Sequence, residues 1–226
     1  MEKILSCTGL TKYYGGLPAL SEVSVNLYSG RITLLAGSAG AGKSTFLRIA
    51  AGMAEPTDGS ITVCGMKPGH RANEITAYLP DRDFFPEDER LIDIVRFYKR
   101  FFNDFSEEKA FSLLGGISAD ITKRFGAFSR SMKGNIQAAF IASRQARVYL
   151  LDEPLLSSGK ASRELILSEF FAKKKDDAAV VITYPGFLSE REDHAGDIDD
   201  LLLLQNGTVK YCGPAGELPA QEKKGI

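Results

Sequence analysis

The sequence has few of the residues from which disulfide frameworks and metal centres are built. Its 226 residues include no tryptophan, three cysteines and two histidines. Cys7, Cys64 and Cys212 are scattered and form no CxxC pair or Cys/His cluster, whereas such frameworks need closer and more numerous partners. We therefore expect reduced thiols, as in a cytosolic protein.

Charge imbalance and long apolar runs are also lacking. The 28 Lys and Arg residues nearly match the 29 Asp and Glu residues, so the formal net charge is −1. This balance argues against a nucleic-acid partner bound by bulk electrostatics. The longest apolar runs, 178–182 and 201–204, are far shorter than the roughly 20 residues of a membrane-spanning helix. The first residues also lack the apolar stretch of a signal peptide. We expect any action at a membrane to require a separate membrane partner.

The composition that remains is typical of a globular protein. With 44% hydrophobic and 25% charged residues, we predict a single domain over residues 1–226. Helical spacing of apolar residues predicts helices at 44–52 and near 162–174. Strand-length apolar runs occur at 4–7, 23–27 and 32–36, as a pair at 60–64 and 75–79, at 148–151 and 179–182, and in a hairpin of 201–204 and 208–211 joined by Asn206-Gly207. Alternating strands and helices predict an α/β fold with a mostly parallel sheet.

Residues from about 82 to 144 differ in character from the rest. Leu91, Ile94 and Val95 recur at helical intervals, and residues 107–114 repeat this pattern. We expect two or three helices here, inserted between strands as a helical subdomain.

A glycine-rich segment is the strongest chemical signal. Residues 37–44 read GSAGAGKS, which matches the pattern GxxxxGK[ST] between an apolar strand and an apolar helix. Glycines let successive backbone N–H groups face one concavity that binds phosphate oxygens, and the helix N-terminus adds positive charge. The alternative, a turn that only caps a helix, matches fewer of these features. The predicted nucleotide-binding residues are Gly37, Ser38, Ala39, Gly40, Ala41, Gly42, Lys43, Ser44 and Thr45.

Two adjacent acids follow the predicted strand 148–151. Asp152 and Glu153 should point to opposite sides and can therefore take different roles. With Ser44, Asp152 is expected to hold Mg²⁺, while Glu153 would polarise the attacking water. Such a pair alone is often a solvated strand end. About a hundred residues after a phosphate-binding loop, it is the expected second half of an ATP site.

Together, these segments resemble the ATP-binding-cassette ATPases, and the resemblance covers residues 3–213. Residues 150–154, LLDEP, resemble the segment that carries the catalytic acid, and Tyr14 matches the aromatic that stacks on adenine. Residues 128–132, FSRSM, resemble the FSRGM-type signature of exporter subunits, which implies that Ser129 and Ser131 bind nucleotide. The resemblance implies a P-loop NTPase core with a RecA-like sheet, an antiparallel N-terminal sheet and an inserted helical subdomain. Aromatics in 84–86 and 94–102 would then help to form a groove for a membrane subunit, although a plain helical core explains each of them equally well.

The sequence departs from that family at several positions. Asp81 stands where glutamine is expected and could still approach Mg²⁺, Ser131 replaces a glycine, and Gly159 lies near the place of an aspartate. Tyr184 occupies the position of the switch histidine and is predicted to be catalytic, but with a reference pKa of about 10 a tyrosine is a poor proton shuttle near neutrality. His70 and His194 are best explained as solvated surface residues.

Three functions remain open at this point. The first is a transport ATPase of an exporter, the second a degenerate regulatory ATP-binding half, and the third a cassette protein acting in translation or DNA repair. The third is disfavoured because the chain shows neither a second cassette nor a long coiled coil. For the first two, the resemblance implies ATP and Mg²⁺ as cofactors and a location at the inner face of the cell membrane. It also implies a membrane-spanning subunit and a second ATP-binding subunit as partners. A heterodimer is favoured over a homodimer.

Overall fold

The computed structural model describes residues 1–154, 158–183 and 196–217, apart from the side chain of Lys175. Within these ranges the chain forms nine strands and six α-helices. The strands are β1 (Lys3–Tyr14), β2 (Leu17–Tyr28), β3 (Ile32–Ala36), β4 (Asp58–Val63), β5 (Thr76–Leu79), β6 (Val148–Leu151), β7 (Ala179–Thr183), β8 (Asp200–Gln205) and β9 (Thr208–Pro214). The helices are α1 (Lys43–Ala50), α2 (His70–Glu74), α3 (Leu91–Phe101), α4 (Glu107–Gly116), α5 (Arg130–Ala142) and α6 (Lys160–Ala172).

A six-stranded sheet forms the centre of the molecule. Its strand order is β5-β6-β7-β3-β8-β9, and every neighbouring pair is parallel except β8 and β9. The strands β3, β6 and β7 are buried along their whole length, which is typical of parallel strands covered on both faces. The predicted α/β fold with a mostly parallel sheet is therefore confirmed.

A smaller antiparallel sheet has the order β2-β1-β4, as expected for the N-terminal part of the chain. Its strands β1 and β2 are much longer than the short apolar runs predicted at 4–7 and 23–27. Polar residues continue both strands, and β1 contains several register shifts. The strands predicted at 60–64 and 75–79 are present as β4 and β5, but they do not pair with each other, because β4 joins this antiparallel sheet and β5 joins the parallel one.

Side chains of the parallel sheet alternate between two hydrophobic cores. Leu34, Leu151 and Ile182 face the core that also contains buried residues of α3, α4, α5 and α6. Leu35 and Leu150 face the other core, shared with α1 and the antiparallel sheet. The sheet is thus the middle layer, and its carboxyl edge stays open between the two covering layers.

Three helices, α3 to α5, lie between β5 and β6, in the segment for which the sequence predicts a helical subdomain. At the β8–β9 turn, Asn206 and Gly207 both have positive φ, 49° and 76°, as a type I′ hairpin turn requires. In the described ranges no helix is both long and apolar enough to cross a membrane.

Candidate active site

The carboxyl ends of three neighbouring strands bring the predicted chemistry together. β3 leads into the glycine-rich loop, β6 leads into Asp152 and Glu153, and β7 lies between them and ends at Thr183. In an open parallel sheet, this edge is where ligands bind.

Glycine is required at two positions of the loop because other backbone lies so close. Gly37 has φ 145°, and a Cβ there would lie 2.3 Å from the carbonyl oxygen of Leu204. Gly42 has φ 100°, and its Cβ would lie 2.4 Å from the carbonyl oxygen of Ala19. Residues 38–40 are exposed between these two anchors. The loop is therefore fixed at both ends and exposed to solvent in the middle.

Helix α1 begins directly after the loop and points its N-terminus into this space. The first N–H groups of a helix have no partner within it, and they carry partial positive charge. Lys43, the first residue of α1, is buried, and its ammonium donates to the carbonyl oxygens of Gly37 at 2.7 Å and Ser38 at 3.0 Å. A lysine cation and unpaired N–H groups thus converge on one concavity.

Ser44 and Asp152 meet across the site. The Ser44 hydroxyl donates to Asp152 Oδ1 at 3.0 Å, although the residues are 108 positions apart in the chain. Asp152 is 1% exposed, and its Oδ2 is buried with no hydrogen-bond partner among the described residues. Burial raises the pKa of Asp152, and hydrogen bonds from Ser44 and Thr183 oppose that shift.

This pair fits a hard divalent cation. A buried carboxylate oxygen without a partner is costly, and hydroxyl and carboxylate oxygens are the ligands that Mg²⁺ prefers. The described residues form no group of three or more His, Cys, Asp or Glu side chains able to hold a metal. A cation here would therefore complete its shell with water and substrate oxygens, as Mg²⁺ usually does.

The comparisons with known proteins agree with this geometry. The family model described as "ABC transporter" matches residues 20–156, which is more than half of the chain and includes both the loop and the acidic pair. The chain belongs to the ABC transporter family. It is an ATP-binding cassette of that family.

Curated relatives align along almost the whole cassette. The uncharacterized ABC transporter ATP-binding protein MJ1662 of Methanocaldococcus jannaschii is 31% identical over 92% of this chain. This chain spans only 40% of that relative's length. The phosphonates import ATP-binding protein PhnC 1 of Natronomonas pharaonis is 29% identical, and the match covers 97% of both chains.

A solved structure shows the same fold. It is described as the ATP binding subunit of an ABC transporter, and it superposes with a TM-score of 0.86 at 22% identity. The match covers 98% of this chain and 94% of that one. The P-loop NTPase fold of the cassette is thus established.

The turn after β6 holds the second acid of the cassette. Glu153 has φ 46°, which is uncommon for a residue with a side chain. Its N–H donates to Thr183 Oγ1 at 2.7 Å, and that hydroxyl also lies 3.1 Å from Asp152 Oδ1. Thr183 was missed by the sequence reasoning. A polar residue at the end of the otherwise apolar strand AVVIT was the available signal.

Asp81 follows β5 at the same edge, but its carboxylate contacts Arg48. The Arg48 Nη2 to Asp81 Oδ1 distance is 3.4 Å, and both side chains are about 40% exposed (41% and 42%). Arg48 lies on α1, one turn after Ser44. The negative charge of Asp81 therefore faces the guanidinium of Arg48. The sequence reasoning did not predict this neighbour.

The remaining predicted residues lie apart from the Ser44–Asp152 pair. Tyr14 ends β1 with 47% of its surface exposed, and the Lys12 ammonium lies 5.1 Å from the centre of its ring. Ser129 caps α5, its hydroxyl accepting from the N–H of Met132 at 3.3 Å, and Ser131 is half-buried in the first turn. Among the described residues, no hydrogen bond or ion pair joins Tyr14, Asp81, Ser129 or Ser131 to Ser44 or Asp152.

Some predictions concern residues outside the described ranges. Tyr184 and His194 belong to these. His70, by contrast, lies within these ranges. It is exposed at the start of α2, and its Nδ1 atom lies 3.7 Å from Glu74 Oε1. Gly159 immediately precedes α6 and is exposed.

Proposed function

We propose that this cassette binds Mg²⁺ and ATP at residues 37–45 and hydrolyses ATP to drive a separate membrane subunit. One observation carries the proposal: Ser44 contacts Asp152 at 3.0 Å, with the Lys43 ammonium on the glycine loop and Glu153 next in the chain. These are the groups that ATP hydrolysis requires, gathered at one edge of the sheet.

Each residue has a distinct proposed part in binding. The N–H groups of the loop and of the first turn of α1 hold phosphate oxygens, and Lys43 neutralises their charge. Ser44 and Asp152 hold Mg²⁺. Asp81 and its partner Arg48 lie near this site and alter the charge around Asp152. When bound, Mg²⁺ supplies charge neutralisation to the phosphates. Tyr14, exposed at the end of β1, offers a face for the adenine.

Glu153 is the proposed general base, and the water that it orients attacks the terminal phosphate. Its backbone N–H is fixed by Thr183, so its carboxylate projects from a defined turn. Tyr184 is proposed to replace the switch histidine as a hydrogen-bond donor. Because its phenol is a poor proton shuttle, we expect slow hydrolysis by the isolated chain.

The proposed membrane partner docks on the helical subdomain, residues 82–144. Phe97 and Phe101 of α3 are 59% and 66% exposed and stack with ring centres 5.6 Å apart. An exposed aromatic pair of this kind is the apolar surface that a partner would cover. The exporter direction is supported only by the resemblance of residues 128–132 to the exporter signature, and the cassette would lie at the inner face of the membrane.

A regulatory ATP-binding half is the second candidate. It is favoured by the Asp81–Arg48 pair and by the side chain of Ser131 in the first turn of α5, where the family has glycine. In this case the cassette binds ATP but relies on a more competent homologue for most hydrolysis.

Binding of Mg·ATP by isothermal titration calorimetry tests the proposal. We expect micromolar to submillimolar affinity for the wild-type chain and no measurable binding for Lys43→Ala, because the loop loses its cation. The control is Lys67→Ala, which removes an exposed lysine paired with Glu55 and should bind as the wild type does. Equal affinity for all three proteins would refute the assignment of the loop.

A further inference from the structure

The hydroxyl of Thr183 connects two strands at the point where the acids leave the sheet. Thr183 is fully buried at the end of β7, next to β6 in the sheet. Its oxygen accepts the N–H of Glu153 at 2.7 Å. Asp152 Oδ1, at 3.1 Å, and the carbonyl oxygen of Leu151, at 3.4 Å, are the available acceptors for its single proton. The carboxylate is the closer acceptor and carries the charge.

The turn at Glu153 needs such a support. Its φ of 46° is sterically unfavourable for a residue with a Cβ, and such conformations persist only where the surroundings enforce them. The turned backbone also takes the Glu153 N–H out of the β6 ladder. Thr183 then provides the acceptor for this half-buried N–H group.

The same hydroxyl also orients Asp152. Asp152 Oδ1 receives hydrogen bonds from Ser44 at 3.0 Å and from Thr183 at 3.1 Å. Two donors on one oxygen fix the plane of the carboxylate. Its other oxygen, Oδ2, receives no hydrogen bond from the described residues.

We propose that Thr183 is a positioning residue for ATP hydrolysis, which sets the turn of Glu153 and the carboxylate plane of Asp152 through one hydroxyl. The inference rests on the proposed function, in which Glu153 orients the attacking water. Without the hydroxyl, the Glu153 carboxylate samples several positions. Misplacement of a catalytic group by about 1 Å can cost on the order of a hundredfold in rate. Phosphate binding by the loop does not depend on Thr183.

Two variants separate the hydroxyl from the shape of the side chain. Thr183→Val keeps the volume and the β-branching but has no hydroxyl, and Thr183→Ser keeps the hydroxyl. We expect Thr183→Val to lower kcat for ATP about tenfold or more while the Kd for ATP without Mg²⁺, which reports on the loop alone, changes less than about threefold. Thr183→Ser should recover most of kcat. A loss of similar size in both variants, or wild-type kcat in Thr183→Val, would overturn the inference.

Amide hydrogen exchange of Glu153, followed by NMR, gives a readout independent of turnover. The amide should be protected in the wild type and in Thr183→Ser, and it should exchange faster in Thr183→Val while core amides of β6 stay protected. Core protection also shows that the variant is folded. Unchanged protection of the Glu153 amide in a folded Thr183→Val would contradict the proposed contact.

The variant Glu153→Gln distinguishes the inference from the proposed function. If Glu153→Gln hydrolyses ATP as fast as the wild type does, the proposed role of Glu153 is wrong, and the positioning role of Thr183 is wrong with it. If Glu153→Gln loses activity while Thr183→Val retains it, only the inference about Thr183 fails.

Discussion

Tyr14, the residue proposed to stack on adenine, is an exposed side chain. It stands at the end of β1 with nearly half of its surface exposed, and Lys12 lies against one face of its ring. A planar base can therefore stack on the opposite face without displacing any core residue. Lys12 is itself held by the carbonyl oxygen of Glu55 at 2.7 Å, so the ring has a fixed neighbour.

We predict that Tyr14→Ala weakens Mg·ATP binding about fivefold or more, since stacking on an aromatic ring contributes about 1–3 kcal/mol in nucleic-acid complexes. Tyr14→Phe keeps the ring and should bind like the wild type. Titration with a fluorescent ATP analogue measures both variants. Equal affinity of Tyr14→Ala and wild type would show that the base is held elsewhere.

At the scale of elements, the buried side chain of Arg144 connects several parts of the fold. Arg144 follows α5 and is 3% exposed, and it pairs with Asp104 in the α3–α4 connection at 3.0 Å. It also donates to the carbonyl oxygens of Thr76 at 2.9 Å and Glu74 at 2.8 Å. Its guanidinium lies 4.0 Å from the ring centre of Phe102. One buried side chain thus joins the three-helix segment to the start of β5.

We predict that Arg144→Met lowers the free energy of unfolding by about 3 kcal/mol or more, because removing one partner leaves a mostly buried charge and several acceptors unpaired. Arg147→Met is the matched control. That arginine forms an exposed pair with Glu2 at 2.6 Å, and such pairs contribute about 0–1 kcal/mol.

Urea unfolding followed by circular dichroism measures both losses and suits a chain without tryptophan. Similar losses in the two variants would show that Arg144 is not the main tie between these elements.

At the scale of the whole molecule, two exposed surfaces are the proposed contacts with a second cassette. Residues 38–40 of the glycine loop are exposed, and so are Ser129 and Arg130 at the N-terminus of α5. We propose that the second ATP-binding subunit docks head to tail, so that the loop of one cassette meets the α5 N-terminus of the other. Asp81 departs from the family beside the loop, and Ser131 departs from it in α5. A homodimer would combine both departures in each site, whereas a regular partner would supply one sound half to each.

We therefore predict that Glu153→Gln, which should slow hydrolysis and trap ATP, stays monomeric when it is alone with Mg·ATP and dimerises with a homologous cassette. Size-exclusion chromatography with light scattering measures the mass of each species. Lys43→Ala, which should not bind ATP, is the control and should stay monomeric in both mixtures. A stable ATP-dependent homodimer of Glu153→Gln, together with turnover by the wild type alone, would contradict the heterodimer.

Local sequence patterns predicted the candidate site and most elements of the cassette. The spacing of Gly37, Gly42 and Lys43 predicts a phosphate-binding loop, because the pattern GxxxxGK[ST] is recognised along the chain alone. The apolar runs that become β3, β6 and β7 predict buried parallel strands, because strands covered on both faces are apolar at every position. Asn206-Gly207 fixes its hairpin turn through two positive φ angles. These features need no knowledge of the rest of the fold.

Only the tertiary structure decided which distant residues meet. β4 and β5 look alike as apolar runs but join different sheets, since strand pairing depends on contacts far apart in sequence. Asp81 was assigned by its position in the chain, yet the fold pairs its carboxylate with Arg48. Thr183 meets Glu153 from 30 residues away because β7 lies beside β6 in the sheet. Such long-range neighbours are set by packing of whole elements, which no local pattern encodes.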